Sequence, residues 1–130
     1  MQKPVLGIHH VAIHAADFDQ TVSFYREIFG FSPYIAWGEP GNRAVMLDTG
    51  DGSRIEVFEN GSKDQPEGAW CHLALRVSDC DAVFNAAVGA GCRIQMEPQN
   101  VVIHGEFDLP VRIAFVYGLN GEIFEFMQEF

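Results

Sequence analysis

The sequence predicts an α+β fold of two tandem βαβββ modules, at about residues 5–60 and 69–130 of one 130-residue domain. Three observations carry this expectation: an ungapped internal repeat, a helical stretch after each copy of it, and a hairpin pattern that closes each half.

Residues 9–19 read HHVAIHAADFD and residues 71–81 read CHLALRVSDCD. In both, a His opens an alternating apolar strand and an Asp follows seven positions later, His10 to Asp17 and His72 to Asp79. The first helix is expected over about Asp17 to Phe29, with Asp17 as N-cap, Gln20 completing a capping box, and Phe18, Val22, Tyr25 and Phe29 on its apolar face. Gly30 stops it. The second is expected over about Asp79 to Val88, capped by Asp79, with Val83, Phe84, Ala87 and Val88 facing inward and Gly89 and Gly91 beyond.

Three strand-like stretches follow each helix, and each set ends in a hairpin. Asp51-Gly52 and Asn120-Gly121 are turn dipeptides between alternating apolar runs. In both copies a Glu stands four residues after the turn glycine, Glu56 and Glu125. The polar stretch from Asn60 to Gly68 reads as the linker between modules, and residues from about Glu97 to Pro110, which include His104, read as a long loop that could cover a site.

Composition bounds the function. Hydrophobic residues make up 48% of the chain and include 11 Phe, enough for a packed core. The N-terminal stretch has no signal-peptide pattern, and no segment approaches the roughly 20 apolar residues of a membrane span. Three cysteines, Cys71, Cys80 and Cys92, cannot all pair within one chain and suggest no thiolate metal site, so the expected compartment is the reducing cytoplasm. A net charge of −10 disfavours nucleic acid. It also disfavours a strongly anionic substrate unless Arg43, Arg54, Arg76 or Arg112 is placed to meet one.

Strand phase separates the repeated histidines and glutamates from the core. Residues two apart share a face, so His10 lies with Ile8, Ala12 and His14, and His72 with Trp70, Ala74 and Arg76, while Val11, Ile13, Leu73 and Leu75 meet the helices. Glu56 shares its face with Arg54 and Phe58, and Glu125 with Ile123 and Met127. A carboxylate inside the Phe-rich run EIFEFMQEF is costly unless it is paired or bound to a cation. One strand His or Glu alone is usually a core or surface residue. Four at matching positions of a duplicated unit make His10, Glu56, His72 and Glu125 candidate ligands of one divalent metal, with Ni, Co, Zn, Fe or Mn suiting the imidazole and carboxylate donors. His9 reads as helix-facing and structural, His14 as a pocket or surface residue, His104 as a loop residue, and Trp37, Trp70 and Phe58 as cavity or interface walls.

The run HHVAIHAADFDQTVSFYREIFGF, the His of the second repeat and the final turn-plus-Glu resemble the vicinal oxygen chelate superfamily of glyoxalases, extradiol dioxygenases and bleomycin resistance proteins. The resemblance runs over essentially the whole chain and implies a cupped mixed sheet around one metal, often completed in a homodimer. It assigns His10, Glu56, His72 and Glu125 as the four ligands, a set most similar to that of glyoxalase I, whose short bacterial form implies Ni or Co. The activity it implies is a lyase or isomerase reaction on a small carbonyl or thiohemiacetal-type substrate, in which the metal stabilises an enediolate and Glu125 or Glu56 shuttles the proton.

Two alternatives from the same resemblance are an Fe(II) ring-cleaving dioxygenase using His10, His72 and Glu125, and a non-catalytic protein that sequesters an antibiotic-like ligand. The substrate-facing residues are expected to be His14, Phe58, Asn60, Trp70 and His104. Asn60 matches a glutathione-contacting Asn of glyoxalase I, whereas His14 stands where that enzyme has an Arg, and the loop NVVIHGEFDLPVR lacks its lysines.

Overall fold

A computed structural model describes residues 7–65, 68, 70–105 and 107–130. The expected start of the first module at about residue 5, linker residues Pro66 and Glu67, the expected start of the second module at Ala69, and Glu106 of the expected loop lie outside the described residues. The chain divides into two compact units, Met1–Ser62 and Lys63–Phe130.

Unit 1 runs β1 (His10–His14), α1 (Phe18–Glu27), β2 (Ser32–Trp37), β3 (Ala44–Asp48) and β4 (Arg54–Phe58). Its sheet has the order β1-β4-β3-β2, with β1 parallel to β4 and the other pairs antiparallel. A tight turn suffices to join β3 to β4, whereas the parallel β1–β4 pair needs a long crossover, and α1 lies within it. Asp17 caps α1, its carboxylate accepting from the Gln20 N–H at 3.0 Å. The helix buries Thr21, Phe24 and Tyr25, an i, i+3, i+4 stripe; of the expected face Tyr25 is buried, while Phe18, Val22 and Phe29 are only half-buried. Phe18 instead lies under the Arg43 guanidinium at 4.6 Å. Tyr25, Leu47 and Val57 are almost wholly buried in its core. Val11, expected to meet the helix, stays 40% exposed because β1 is an edge strand.

Unit 2 repeats the order as β5 (Leu73–Arg76), α2 (Cys80–Gly89), β6 (Arg93–His104), β7 (Asp108–Tyr117) and β8 (Ile123–Glu129). Its sheet order is β5-β8-β7-β6, again with the first strand parallel to the last. Asp79 caps α2 through the Ala82 N–H at 3.1 Å. Phe124, Phe126, Val111, Ala114, Val116 and Ala87 are buried together.

The long loop expected over about Glu97 to Pro110 is instead the outer part of the β6–β7 hairpin. Its two prolines argued for a loop because proline cannot donate to a ladder. Both sit where no donor is required: Pro98 falls in the irregularity between Met96 and Gln99, and Pro110 lies beyond the last β7–β8 pair, Val111 with Glu129. The two turn dipeptides behave as expected. Gly52 (φ 92°) and Gly121 (φ 84°) take the left-handed conformation that the tight turns require.

Candidate metal centre

The strand register sets each candidate ligand. In unit 1, β1 and β4 align His10 with Arg54, Ala12 with Glu56 and His14 with Phe58. The resulting row puts His10 Nε2 3.5 Å from Glu56 Oε1. Glu56 is 7% exposed, between the buried Ile55 and Val57 of the opposite face. In unit 2, Ala74 aligns with Glu125 and Arg76 with Met127. His72 Nε2 lies 3.1 Å from Glu125 Oε1, and Glu125 is 6% exposed between Phe124 and Phe126.

Both carboxylates therefore sit at the core's edge, where an unpaired charge would cost several kcal/mol and where an imidazole is the partner supplied. The expected set of four is present as two pairs, one in each unit. Among the described residues no group of three or more His, Cys, Asp or Glu is gathered at metal-holding distance. Each pair offers one imidazole nitrogen and one carboxylate, the donor chemistry of a divalent ion held by N and O ligands.

The other ring nitrogen is engaged in both units. His10 Nδ1 is 2.9 Å from His9 Nδ1, and His9 Nε2 accepts from the Arg54 guanidinium at 3.4 Å. His72 Nδ1 is 3.6 Å from Cys71 Sγ, and the His72 ring meets Phe115 edge-on at 5.3 Å. Holding Nδ1 leaves Nε2 directed at the carboxylate, as a ligating imidazole requires. His9 is thus exposed beside a candidate ligand and is not the helix-facing residue that the strand phase implied. Its adjacency to His10 was the only sequence signal of this contact.

The expected substrate-facing residues divide. His14 stacks on Phe58 with centroids 5.2 Å apart and bonds the Glu59 carbonyl through Nδ1 at 3.2 Å, while Trp37 meets Phe58 edge-on at 6.5 Å. These rings share the face that carries His10 and Glu56. The Asn60 side chain donates to the Gly41 carbonyl at 2.7 Å, which ties down a loop. Trp70 is 92% exposed. His104 pairs with Asp108 at 2.9 Å on the exposed end of the β6–β7 hairpin. A shallow hollow lined by Ser23, Arg26, Glu27, Phe31, Ser32 and Pro33 contains none of the expected site residues.

Ion pairs brace both units. Arg43 joins Glu59 at 2.9 Å and Asp19 at 3.0 Å, and its hydrogen bonds bring the Glu59 pKa down to about 2. Arg112 joins Asp81 at 2.7 Å and holds its carboxyl below the usual range. Burial pushes the Cys92 thiol up to about 12, and the Cys80 thiol upward as well.

Comparison with known proteins agrees with this architecture. The pattern of the Glyoxalase/Bleomycin resistance protein/Dioxygenase superfamily matches residues 7–126. A 2-epi-5-epi-valiolone epimerase of Actinomyces sp. is 28% identical over 120 residues, covering 74% of this chain and 66% of its own length. A glyoxalase I variant from Zea mays superposes with a TM-score of 0.73 at 22% identity, over 92% of this chain and 43% of that one. The fosfomycin resistance protein FosX of Listeria monocytogenes, solved with Mn(II) and sulfate, superposes with a TM-score of 0.73 at 16% identity, over 95% of this chain and 93% of that one. The chain thus spans just under two thirds of the curated relative and under half of the maize enzyme. None of its helices among the described residues is long and apolar enough to cross a membrane.

Proposed function

Because the chain belongs to the Glyoxalase/Bleomycin resistance protein/Dioxygenase superfamily, we propose that it is a divalent-metal-dependent lyase or isomerase that moves a proton next to a carbonyl of a small substrate. The observation that carries this reading is the paired placement of His10 with Glu56 and His72 with Glu125, at equivalent register positions on two sheets. Each pair would offer a divalent metal one imidazole and one carboxylate, and the metal when bound would supply charge to stabilise an enediolate.

The chain's own residues do the rest. His9 and Cys71 hold the Nδ1 sides of the two imidazoles and so orient Nε2. Glu56 and Glu125 are carboxylates at the core's edge, and one of them accepts the substrate's C–H proton and returns it. His14, Phe58 and Trp37 form an aromatic wall beside the first pair. The 28% identical relative that is named an epimerase fits a proton-transfer reaction. The expected homodimer belongs to the same reading and is tested by light scattering on the purified chain.

The test is metal analysis of protein purified without added metal, followed by solvent deuterium exchange. With Ni, Co or Zn bound, the protein is expected to wash deuterium from D2O into the carbon beside the carbonyl of α-hydroxy ketones or hemithioacetals. Oxygen uptake with a catechol and Fe(II), without any exchange, identifies a dioxygenase and overturns the proposal. Tight ligand binding without metal or turnover identifies a sequestering protein.

A further inference from the structure

Of the four arginines that the sequence offered for an anionic substrate, three are committed. Arg43 is paired with Glu59 and Asp19, and Arg112 with Asp81 and Asn100. Arg54 lies over the Tyr34 ring at 3.9 Å and donates to His9. Arg93 is likewise stacked, 4.5 Å over Tyr117, and Arg26 sits in the last turn of α1, where a cation complements the helix dipole. Arg76 is different. It is exposed, and among the described residues it has no carboxylate, ring or hydrogen-bond partner.

Its place in the fold is specific. Arg76 ends β5 on the face that carries His72 and Glu125, in the row formed with Met127. That row is two residues, about 7 Å, beyond the row of Ala74 and Glu125. Glu125 is paired with His72, and no described residue pairs with the Arg76 guanidinium one row beyond. In a chain of net charge −10, an arginine on the ligand face with no carboxylate partner among the described residues is a local reversal of sign available to a bound anion. A single guanidinium carries one positive charge in a planar fork, which matches one carboxylate.

We propose that Arg76 is a specificity-determining residue, by which the second module recognises a carboxylate on the substrate roughly one ring-width from the oxygens held at His72 and Glu125. This rests on the metal-binding reading above and narrows it to an anionic substrate.

The experiment uses the full chain loaded with Co(II), whose visible absorption reports chelation. Metal uptake is measured first on the wild type, Arg76→Gln and Arg76→Lys. Each is then titrated with 3,4-dihydroxybenzoate and with 3,4-dihydroxybenzamide, two vicinal-oxygen chelators that differ in the charge across the ring. The wild type is expected to bind the carboxylate about 10-fold more tightly than the amide, a difference near 1.4 kcal/mol. Arg76→Gln is expected to bind the two alike, with Arg76→Lys between. Equal affinities in the wild type, or a preference that persists in Arg76→Gln, overturn the assignment while leaving the metal site standing. Loss of Co(II) uptake in Arg76→Gln overturns it too, since the residue then serves the metal site or the fold. A wild-type chain that takes up no Co(II) overturns the metal-binding reading, and this inference with it.

Discussion

Both sheets present an imidazole against a carboxylate, yet the rows beyond those pairs differ. In unit 1 the next row holds His14 stacked on Phe58, and in unit 2 the same row holds Arg76 beside Met127. The duplicated unit thus repeats the imidazole–carboxylate pair and varies the row beyond it. Unit 1 offers ring surface, unit 2 a cation. The supporting contacts differ as well: His9 stands behind His10, but Cys71 behind His72.

The largest effect should test whether the two pairs are equivalent. Replacing an outer-sphere partner of a ligand typically costs 10–100-fold in metal affinity, so Glu56→Gln or Glu125→Gln, which replaces an anionic carboxylate donor with a neutral amide, is expected to cost more than about 100-fold in chelator competition. His10→Ala and His72→Ala should do the same. Equal losses keep the two-pair symmetry. A variant at Glu56 that retained full affinity would break it and remove Glu56 from the ligand set.

Next in size is the core. Phe126, fully buried in unit 2, corresponds by repeat position to Val57, fully buried in unit 1. Phe126→Ala is expected to cost about 3–5 kcal/mol by denaturant titration, and Val57→Ala about 1.5 kcal/mol for the two methyls lost. All three cysteines lie in unit 2, and only Cys71 is exposed. Thiol labelling therefore separates the units: Cys71 should react at once, whereas Cys80 and Cys92, buried and with raised pKa values, should react only as unit 2 opens. Phe126→Ala should accelerate their labelling, and Val57→Ala should not, unless the whole chain opens in one transition.

Much of this was legible in the sequence, because a repeat states each feature twice. The helix caps at Asp17 and Asp79, the turns at Gly52 and Gly121 and the face shared by His10 and Glu56 all follow from local chemistry with fixed spacing. What was not legible depends on neighbours that spacing does not name. Pro98 and Pro110 argued for a loop because the sequence does not show which β-positions lack a partner strand. Which side of α1 turns inward was set by packing of Phe24 with Tyr25, not by the apolar pattern alone. The choice among Arg43, Arg54, Arg76 and Arg112 needed their partners, since four guanidiniums look alike until three are seen to be occupied.

The smallest effect concerns the ion pairs that brace the units, Arg43–Glu59 in one and Arg112–Asp81 in the other. Glu59 titrates near 4.5 when unfolded and is drawn down to about 2 by its hydrogen bonds with Arg43. A depressed carboxylate contributes stability that is complete above its unfolded pKa and is lost as protons re-enter the folded form. The Glu59 contribution should therefore be intact above about pH 4.5 and should fade as the pH falls toward 2. Arg43→Met should flatten that part of the stability profile, measured by denaturant titration at stepped pH, and leave the slope due to Asp81 in place. Glu59 also bonds the Arg43 backbone N–H at 2.7 Å, and its own carbonyl holds His14. Acid that releases Glu59, as the pH falls toward 2, should therefore also loosen the aromatic wall of unit 1, whereas Arg43→Met should loosen that wall without any acid.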